Sequence, residues 1–85
     1  MRSVYILFSK SKNQYYTGCT DNLEKRLFQH NSGYSKSTKG GIPWELVYTE
    51  SYVTKSEAMK REYEIKSKKS KNYIENMIMK GERPD

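Results

Sequence analysis

Two basic side chains lie on the inward face of a predicted helix, where aliphatic side chains are usual. Leu23 and Leu27 mark that face, and at about 100° per residue Arg26 and His30 fall beside and between them. Neither residue has a carboxylate at a helical neighbour position. Arg26 could instead extend to water, and His30 could be an ordinary buried histidine. The pair together favours a phosphate site, because a guanidinium binds phosphate through two parallel hydrogen bonds.

A carboxylate lies on the inward stripe of a later helix. Glu62 shares that stripe with Ala58, Met59 and Ile65. Spacing alone favours a salt bridge to Lys66, one turn on, worth only about 0.3–0.5 kcal/mol. The functional alternative is a metal ligand. Since no second carboxylate shares the stripe, the pattern indicates at most one Mg²⁺, which would keep several waters and bind substrate phosphate.

Tyrosines form the third candidate set. Tyr5 lies in the first predicted strand, and the Tyr15-Tyr16 pair lies in the second. Buried or sheet-surface tyrosine is the usual explanation for such residues, and composition alone does not argue against it.

The charge balance predicts an anionic partner. Sixteen Lys and Arg against ten Asp and Glu give a net charge of +6, which favours nucleic acid or an acidic membrane surface. Two groups of lysines lie without acids between them: Lys66, Lys68, Lys69 and Lys71 at a helix junction, and Lys36 and Lys39 in a glycine-rich stretch. Such runs are often plain solvated surface, but the total charge favours contact with a nucleic-acid backbone.

Length and composition restrict the remaining possibilities. Eighty-five residues predict one domain over 1–85. The one cysteine, Cys19, excludes an internal disulfide, and no Cys/His cluster is present for a structural zinc. The longest apolar run, Val4 to Phe8, is far shorter than the roughly 20 residues of a membrane span. These features predict a soluble, cytoplasmic protein with no membrane partner.

The elements that must position these side chains follow from periodicity and helix caps. Their predicted order is ββαβαα: strands 2–8, 14–19 and 44–52, and helices from Asp21-Asn22 to about Asn31, 55–68 and 70–80, the last ending at Gly81. Capping boxes are predicted at Asp21 with Glu24 and at Thr54 with Glu57. The first strand is apolar on both faces, so helices must cover the sheet. The pattern predicts an α+β fold.

Two further expectations concern the third strand and the segment before it. Alternation places Trp44, Leu46 and Tyr48 on one face of the third strand. Residues 32–43 hold three glycines, a proline, four Ser or Thr and no acid. That composition predicts a mobile surface loop, of the kind that binds a ligand or covers a site.

Several motifs together resemble the GIY-YIG nuclease family, and most closely its small single-domain members. Ser3-Val4-Tyr5 and Tyr16-Thr17-Gly18 stand in the places of its two motif triplets. Further matches run from Tyr16 to Asn31, from Gly41 to Trp44 and from Glu57 to Lys66. The resemblance covers nearly the whole chain and implies a three-stranded antiparallel sheet flanked by helices.

The resemblance also implies an activity, a cofactor and a set of site residues. The activity is Mg²⁺- or Mn²⁺-dependent hydrolysis of phosphodiester bonds in DNA. By position, the site residues are the motif tyrosines Tyr5 and Tyr16, the motif glycine Gly18, the phosphate-binding Arg26, His30 and the metal ligand Glu62. Either Tyr5 or neutral His30 could take the proton from the attacking water, and the resemblance favours Tyr5.

The chain departs from the family pattern at two positions. Ser3 replaces the first motif glycine, and Thr17 replaces the isoleucine of the second triplet, both tolerated in the small members. Larger relatives add DNA-binding or partner domains, so a protein partner could supply targeting here. The alternatives to an endonuclease are a non-catalytic nucleic-acid-binding module and a partner-dependent subunit, and RNA remains an alternative substrate.

Overall fold

A three-stranded antiparallel sheet forms the centre of the molecule. The computed structural model describes residues 1–34 and 36–80 of the chain. Strands β1 (Arg2–Ser9), β2 (Gln14–Thr20) and β3 (Trp44–Tyr52) are arranged in the order β2-β1-β3, so β1 is central. The sheet and the ββαβαα order of the main elements confirm the sequence prediction.

Helices cover both faces of the sheet, as the apolar first strand predicts. They are α1 (Leu23–Asn31), the single turn α2 (Lys36–Lys39), α3 (Lys55–Lys68) and α4 (Lys71–Lys80). Leu23 and Leu27 of α1 pack on the face that carries Tyr5. Helices α3 and α4 pack on the opposite face, which carries Val4. The predicted helix end at Gly81 lies outside the described residues.

The caps of α1 and α3 differ in how well the sequence predicts them. Thr54 caps α3 as expected, because its hydroxyl accepts the amide hydrogen of Glu57 at 3.2 Å. The predicted cap of α1 at Asp21 is wrong by one residue. Asn22 is extended there, and its side-chain oxygen accepts the amide hydrogen of Lys25 at 3.1 Å.

A β-bulge in β3 reverses the alternation of its side chains between the two faces of the sheet. Leu46 pairs with Leu7, whereas Tyr48 pairs with Ile6, so one extra residue of β3 lies between the two pairs. The prediction that Tyr48 shares a face with Trp44 and Leu46 is therefore wrong. Tyr48 instead lies on the face covered by α3 and α4.

The bulge allows a buried ion pair beneath α3. Glu50 is 2% exposed and accepts hydrogen bonds from Tyr48 and Tyr52. Arg61 donates to both carboxylate oxygens of Glu50, at 3.0 and 3.2 Å. Although burial opposes ionisation, these hydrogen bonds hold the pKa of Glu50 below its ordinary value. The pair fixes α3 to β3.

The ion pair shows that the inward stripe predicted for α3 is displaced. Ala58 and Ile65 are buried as expected, but Arg61 lies between them, and Met59 is 51% exposed. Glu62 is at the border of the stripe, with its side chain 21% exposed.

Within the described residues, no helix is long and apolar enough to cross a membrane.

The composition of residues 32–43 predicts a mobile surface loop, and the described part of this segment includes a helical turn and two buried residues. It contains α2, and Thr38 is 1% exposed. The Trp44 indole donates to the Thr38 carbonyl oxygen at 2.6 Å, and the Asn31 side chain hydrogen-bonds both the amide and the carbonyl of Trp44. A Cβ on Gly41 would lie 2.4 Å from the Trp44 ring. These contacts dock part of the segment against α1 and β3.

Candidate active site

Tyr5 and Gly18 lie opposite each other on β1 and β2. The Tyr5 side chain is 1% exposed, and its ring extends across Gly18. A Cβ at Gly18 would lie 2.4 Å from the Tyr5 hydroxyl oxygen and 2.5 Å from Cζ. Glycine is therefore required so that the Tyr5 hydroxyl can reach its position in the site.

His30 connects the Tyr5 hydroxyl to α2. It is fully buried, and its Nε2 lies 3.0 Å from the Tyr5 hydroxyl oxygen. Its Nδ1 lies 2.8 Å from Oγ1 of Thr38. His30 is thus a buried, fully hydrogen-bonded histidine, as one sequence interpretation expects, and it also contacts a candidate catalytic tyrosine.

Tyr16 completes a compact group of rings, here called the tyrosine–histidine cluster (Tyr5, Tyr16 and His30). The Tyr16 ring meets the His30 ring edge-on, with 4.9 Å between their centroids. The centroids of the Tyr16 and Tyr5 rings are 6.4 Å apart, and those of the Tyr16 and Trp44 rings are 6.2 Å apart. The cluster brings together three residues from β1, β2 and α1.

Arg26 places a cation beside this cluster. Its Nη1 donates to Oε1 of Gln29 at 3.1 Å, and interaction with the Tyr5 hydroxyl raises the pKa of Arg26. Across residues 1–34 and 36–80, no ion pair engages Arg26. Its charge is available to an anionic ligand, as the absence of local acids in the sequence predicts.

Burial keeps Tyr5 and His30 uncharged at neutral pH. Loss of solvation raises the pKa of Tyr5 to about 12, and Arg26 opposes that rise. Burial, followed by the positive charge of Arg26, lowers the pKa of His30 below its ordinary value of 6.5. A neutral phenol and a neutral imidazole therefore share the hydrogen bond between them.

Glu62 lies near the same cluster, although α3 covers the other face of the sheet. Its negative charge is among the influences that raise the pKa of Tyr5. Lys66 binds its Oε2 at 2.7 Å, and the Lys66 ammonium is 5.9 Å from the centroid of the Tyr16 ring. The salt bridge expected from spacing is present, and it lies at the border of the candidate site.

The donor set around Glu62 is suited to a weakly coordinated hard cation. No group of three or more acidic, His or Cys side chains gathers anywhere in the described chain. One half-buried carboxylate, with one oxygen bound by Lys66, fits an ion such as Mg²⁺ that keeps several waters and takes other ligands from substrate phosphate. It does not fit a cation that needs a closed protein cage.

The predicted lysines separate into three places. Lys36 and Lys39 are exposed on α2. Lys66, Lys69 and Lys71 line a cleft of about 480 Å³ between β2 and the junction of α3 and α4. The Lys68 ammonium lies 5.6 Å from the centroid of the Tyr73 ring. The lysine run is thus not one continuous charged surface.

Sequence reasoning does not identify three residues that support the site. Thr38 holds His30, Asn31 holds the backbone of Trp44, and Gly41 leaves room for the Trp44 ring. Thr38 lies in a segment without periodicity, so no local pattern signals its contact. Asn31 and Gly41 lie within the motif matches 16–31 and 41–44, which mark the positions but do not show what they contact.

Comparison with known proteins identifies relatives of this chain. A UPF0213 protein of Staphylococcus saprophyticus is 51% identical over 65 residues, which cover 74% of this chain and 79% of that protein. A UPF0213 protein of Halobacterium salinarum is 46% identical over 67 residues, which cover 78% of this chain and 86% of that protein. The solution NMR structure of a UPF0213 protein from Bacillus halodurans is 38% identical, with a TM-score of 0.59, covering 93% of this chain and 84% of that chain.

The family resemblance of the sequence motifs is confirmed by a match to a family model. Residues 1–75 match the model of the GIY-YIG catalytic domain, a range that includes β1, the whole tyrosine–histidine cluster, Arg26 and Glu62. The chain therefore belongs to the GIY-YIG nuclease family.

Proposed function

We propose that this protein is a metal-dependent endonuclease that hydrolyses phosphodiester bonds in DNA. The hydrogen bond between the Tyr5 hydroxyl and His30 Nε2 carries the proposal, because it joins a buried proton donor to a buried proton acceptor beside the guanidinium of Arg26. Within the described residues, Arg26 and Glu62 supply charges of opposite sign that both act on Tyr5. This combination suits hydrolysis of an anionic diester.

The Tyr5–His30 pair provides a route for the proton of an attacking water. With the imidazole proton on Nδ1, His30 donates to Thr38 Oγ1 and its Nε2 accepts the Tyr5 proton. The Tyr5 oxygen takes a proton from water as it releases its own to Nε2, so no free phenolate is required. The pKa of Tyr5, about 12, makes a standing phenolate rare at neutral pH. Tyr5 then acts as the general base with His30 as its proton acceptor.

Arg26 and Glu62 act on the phosphate in this proposal. The Arg26 guanidinium binds the non-bridging oxygens and stabilises the negative charge that grows on them as water attacks. Glu62 would hold the divalent ion, Mg²⁺ or Mn²⁺, which when bound supplies a Lewis acid for the phosphate and the leaving oxygen. The six exposed lysines that the sequence predicts would contact the DNA backbone, since the chain carries +6: Lys36, Lys39, Lys66, Lys68, Lys69 and Lys71.

One observation favours a second candidate, a nucleic-acid-binding module without catalysis. The carboxylate of Glu62 pairs with Lys66 at 2.7 Å, which is the structural role that helix spacing alone predicts. A module of this kind, or a subunit that needs a protein partner, would bind nucleic acid through its lysines and would leave the diester intact.

The test compares Glu62→Gln with the wild type and with Glu45→Gln, an exposed acid of β3. End-labelled duplex, single-stranded, nicked and branched DNA, and a single-stranded RNA, are incubated with Mg²⁺, Mn²⁺ or EDTA. We expect the wild type and Glu45→Gln to cut DNA only with metal. Glu62→Gln should lose more than about a hundredfold in rate, since a metal supplies several kcal/mol and each 1.4 kcal/mol is about tenfold.

Circular dichroism establishes that each variant is folded. Cleavage by Glu62→Gln at the wild-type rate, or cleavage that persists in EDTA, contradicts the proposal. Salt-sensitive binding without a product under any ion supports the binding module instead.

A further inference from the structure

A cleft lies directly beside the tyrosine–histidine cluster. Its volume is about 480 Å³, within the range of ligand-binding pockets. We call it the lysine cleft, and it is lined chiefly by Tyr15, Tyr16, Lys66, Lys69, Lys71 and Ile74. Tyr16 and Lys66 border both this cleft and the candidate active site, so a strand bound in the cleft would lie next to that site.

The charge of the lysine cleft is complementary to a nucleic-acid backbone. Three lysines line it, and its described lining includes no acid. The Lys71 ammonium donates to the Asn13 carbonyl oxygen at 3.4 Å, and the Lys66 ammonium binds Glu62. These contacts hold two of the cations at the border of the cleft, where phosphate oxygens can reach them.

The inner surface of the cleft is suited to an unstacked base. Ile65 and Ile74 line it together with Tyr15, and Tyr16 lies at its border. The Tyr15 ring is held in place, because its centroid lies 4.9 Å from that of Phe8 and its hydroxyl donates to Glu75 at 3.2 Å. A positively charged groove with aromatic side chains is the arrangement that binds single strands, since each exposed base can stack on a ring.

We propose that the lysine cleft binds one unpaired nucleotide next to the scissile phosphate, so that the protein selects DNA with a single-stranded segment. The base would stack on the Tyr15 ring inside the cleft, and its phosphates would contact the lysines. A base within a duplex is paired and stacked on both sides and cannot enter a cavity of this size. The selection of a cleavage substrate rests on the proposed nuclease function, but binding of the nucleotide can be measured without cleavage.

The first experiment measures binding in EDTA, so that no cleavage occurs. Fluorescence anisotropy compares a labelled single-stranded oligonucleotide with a blunt duplex, for the wild type, K69Q/K71Q and the control K60Q/K80Q. The control removes the same charge from two exposed lysines outside the cleft. We expect the wild type to bind the single strand more tightly than the duplex, and only K69Q/K71Q to lose affinity for the single strand, by about tenfold. The slope of log K against log salt concentration should be lower by about 1.4 in K69Q/K71Q, because each of the two lost phosphate contacts contributes about 0.7.

A second measurement locates the ligand without relying on a variant. Addition of the oligonucleotide to ¹⁵N-labelled wild type should shift the amide resonances of residues 13–17 and 66–71 more than those of the exposed face of α1. Equal losses in the two double variants, equal binding of duplex and single strand, or shifts confined to other surfaces would each overturn the proposal.

Cleavage assays separate this inference from the proposed function. If the wild type binds single strands in the cleft but never cuts, the nuclease proposal fails and the lysine cleft stands. If the wild type cuts, but K69Q/K71Q keeps the same ratio of rates on overhang and blunt duplex DNA, the lysine cleft proposal fails and the nuclease stands.

Discussion

Replacement of Gly18 by alanine should displace the Tyr5 ring and thereby weaken both the fold and the site. The new Cβ would lie 2.4 Å from the Tyr5 hydroxyl oxygen, 2.5 Å from Cζ and 3.0 Å from Cε1. These atoms belong to a ring that is 1% exposed and hydrogen-bonded to His30, so the ring cannot move without cost.

The size of the effect follows from three contributions. Overpacking a buried site costs about 1–3 kcal/mol. Stretching or breaking the buried bond from Tyr5 to His30 adds about 1 kcal/mol. Alanine lowers the conformational entropy of the unfolded chain, which stabilises the folded protein by about 0.4–1 kcal/mol. We therefore expect a net loss of about 2 kcal/mol in the free energy of unfolding, or roughly 10 °C in Tm for a chain of this size.

Urea unfolding followed by circular dichroism measures the loss, and Gly40→Ala is the matched control. Among the described residues, a Cβ at Gly40 would meet the Lys12 side chain alone, at an ordinary 3.6 Å from Cε. We expect Gly40→Ala to unfold close to the wild-type urea concentration. Equal stability of Gly18→Ala and Gly40→Ala would refute the steric reasoning.

The same variant has a local readout, because His30 is the only histidine in the sequence. Burial is the main cause that lowers its pKa, and displacement of the Tyr5 ring should admit water. An NMR titration of the imidazole should therefore find the pKa of His30 closer to 6.5 in Gly18→Ala than in the wild type. An unchanged His30 pKa would mean that the ring has not moved.

Three further predictions concern the polar groups around the site and the core. Thr38→Val removes the hydroxyl partner of His30 Nδ1 and should slow cleavage and alter its pH profile, whereas Thr38→Ser should retain both in rate measurements across pH. Because the pKa of His30 is lowered on folding, the unfolded chain protonates first, so urea unfolding should show stability falling below about pH 6.5; a flat profile from pH 7 to 5 would contradict this. Glu50→Gln should lower the free energy of unfolding by about 2 kcal/mol in urea, since Arg61 loses its charged partner, and an unchanged midpoint would show that the pair adds no stability.

The elements of the fold were largely predictable because their signals are local. Periodicity and the Thr54 cap place β1, β2, β3 and α3 close to their observed bounds. The cap of α1 was predicted one residue early, because Asp21 and Asn22 are both good cap residues and the backbone decides between them. The extended backbone of Asn22 and its contact with Thr20 resolve that choice.

The sequence predicts which residues form the candidate site, but not the contacts among them. Motif positions and helix faces select the residues that the structure brings together, from Tyr5 to Glu62. They do not show that His30 is buried between Tyr5 and Thr38. The catalytic roles, the metal, the DNA substrate, the cytoplasmic location and the extent of the domain stay predictions.

The sequence by itself determined the order of strands and helices, the faces of β1 and the family, since each depends on residue types at short spacing or on motifs in order. Only the tertiary structure decided on which face of the sheet Tyr48 lies, that Glu50 pairs with Arg61, and that Thr38 contacts His30. These depend on a bulge in β3 and on segments distant along the chain, where a shift of one residue reverses a strand's facing. The same holds for the lysine cleft, which exists only because β2 and the α3–α4 junction pack side by side.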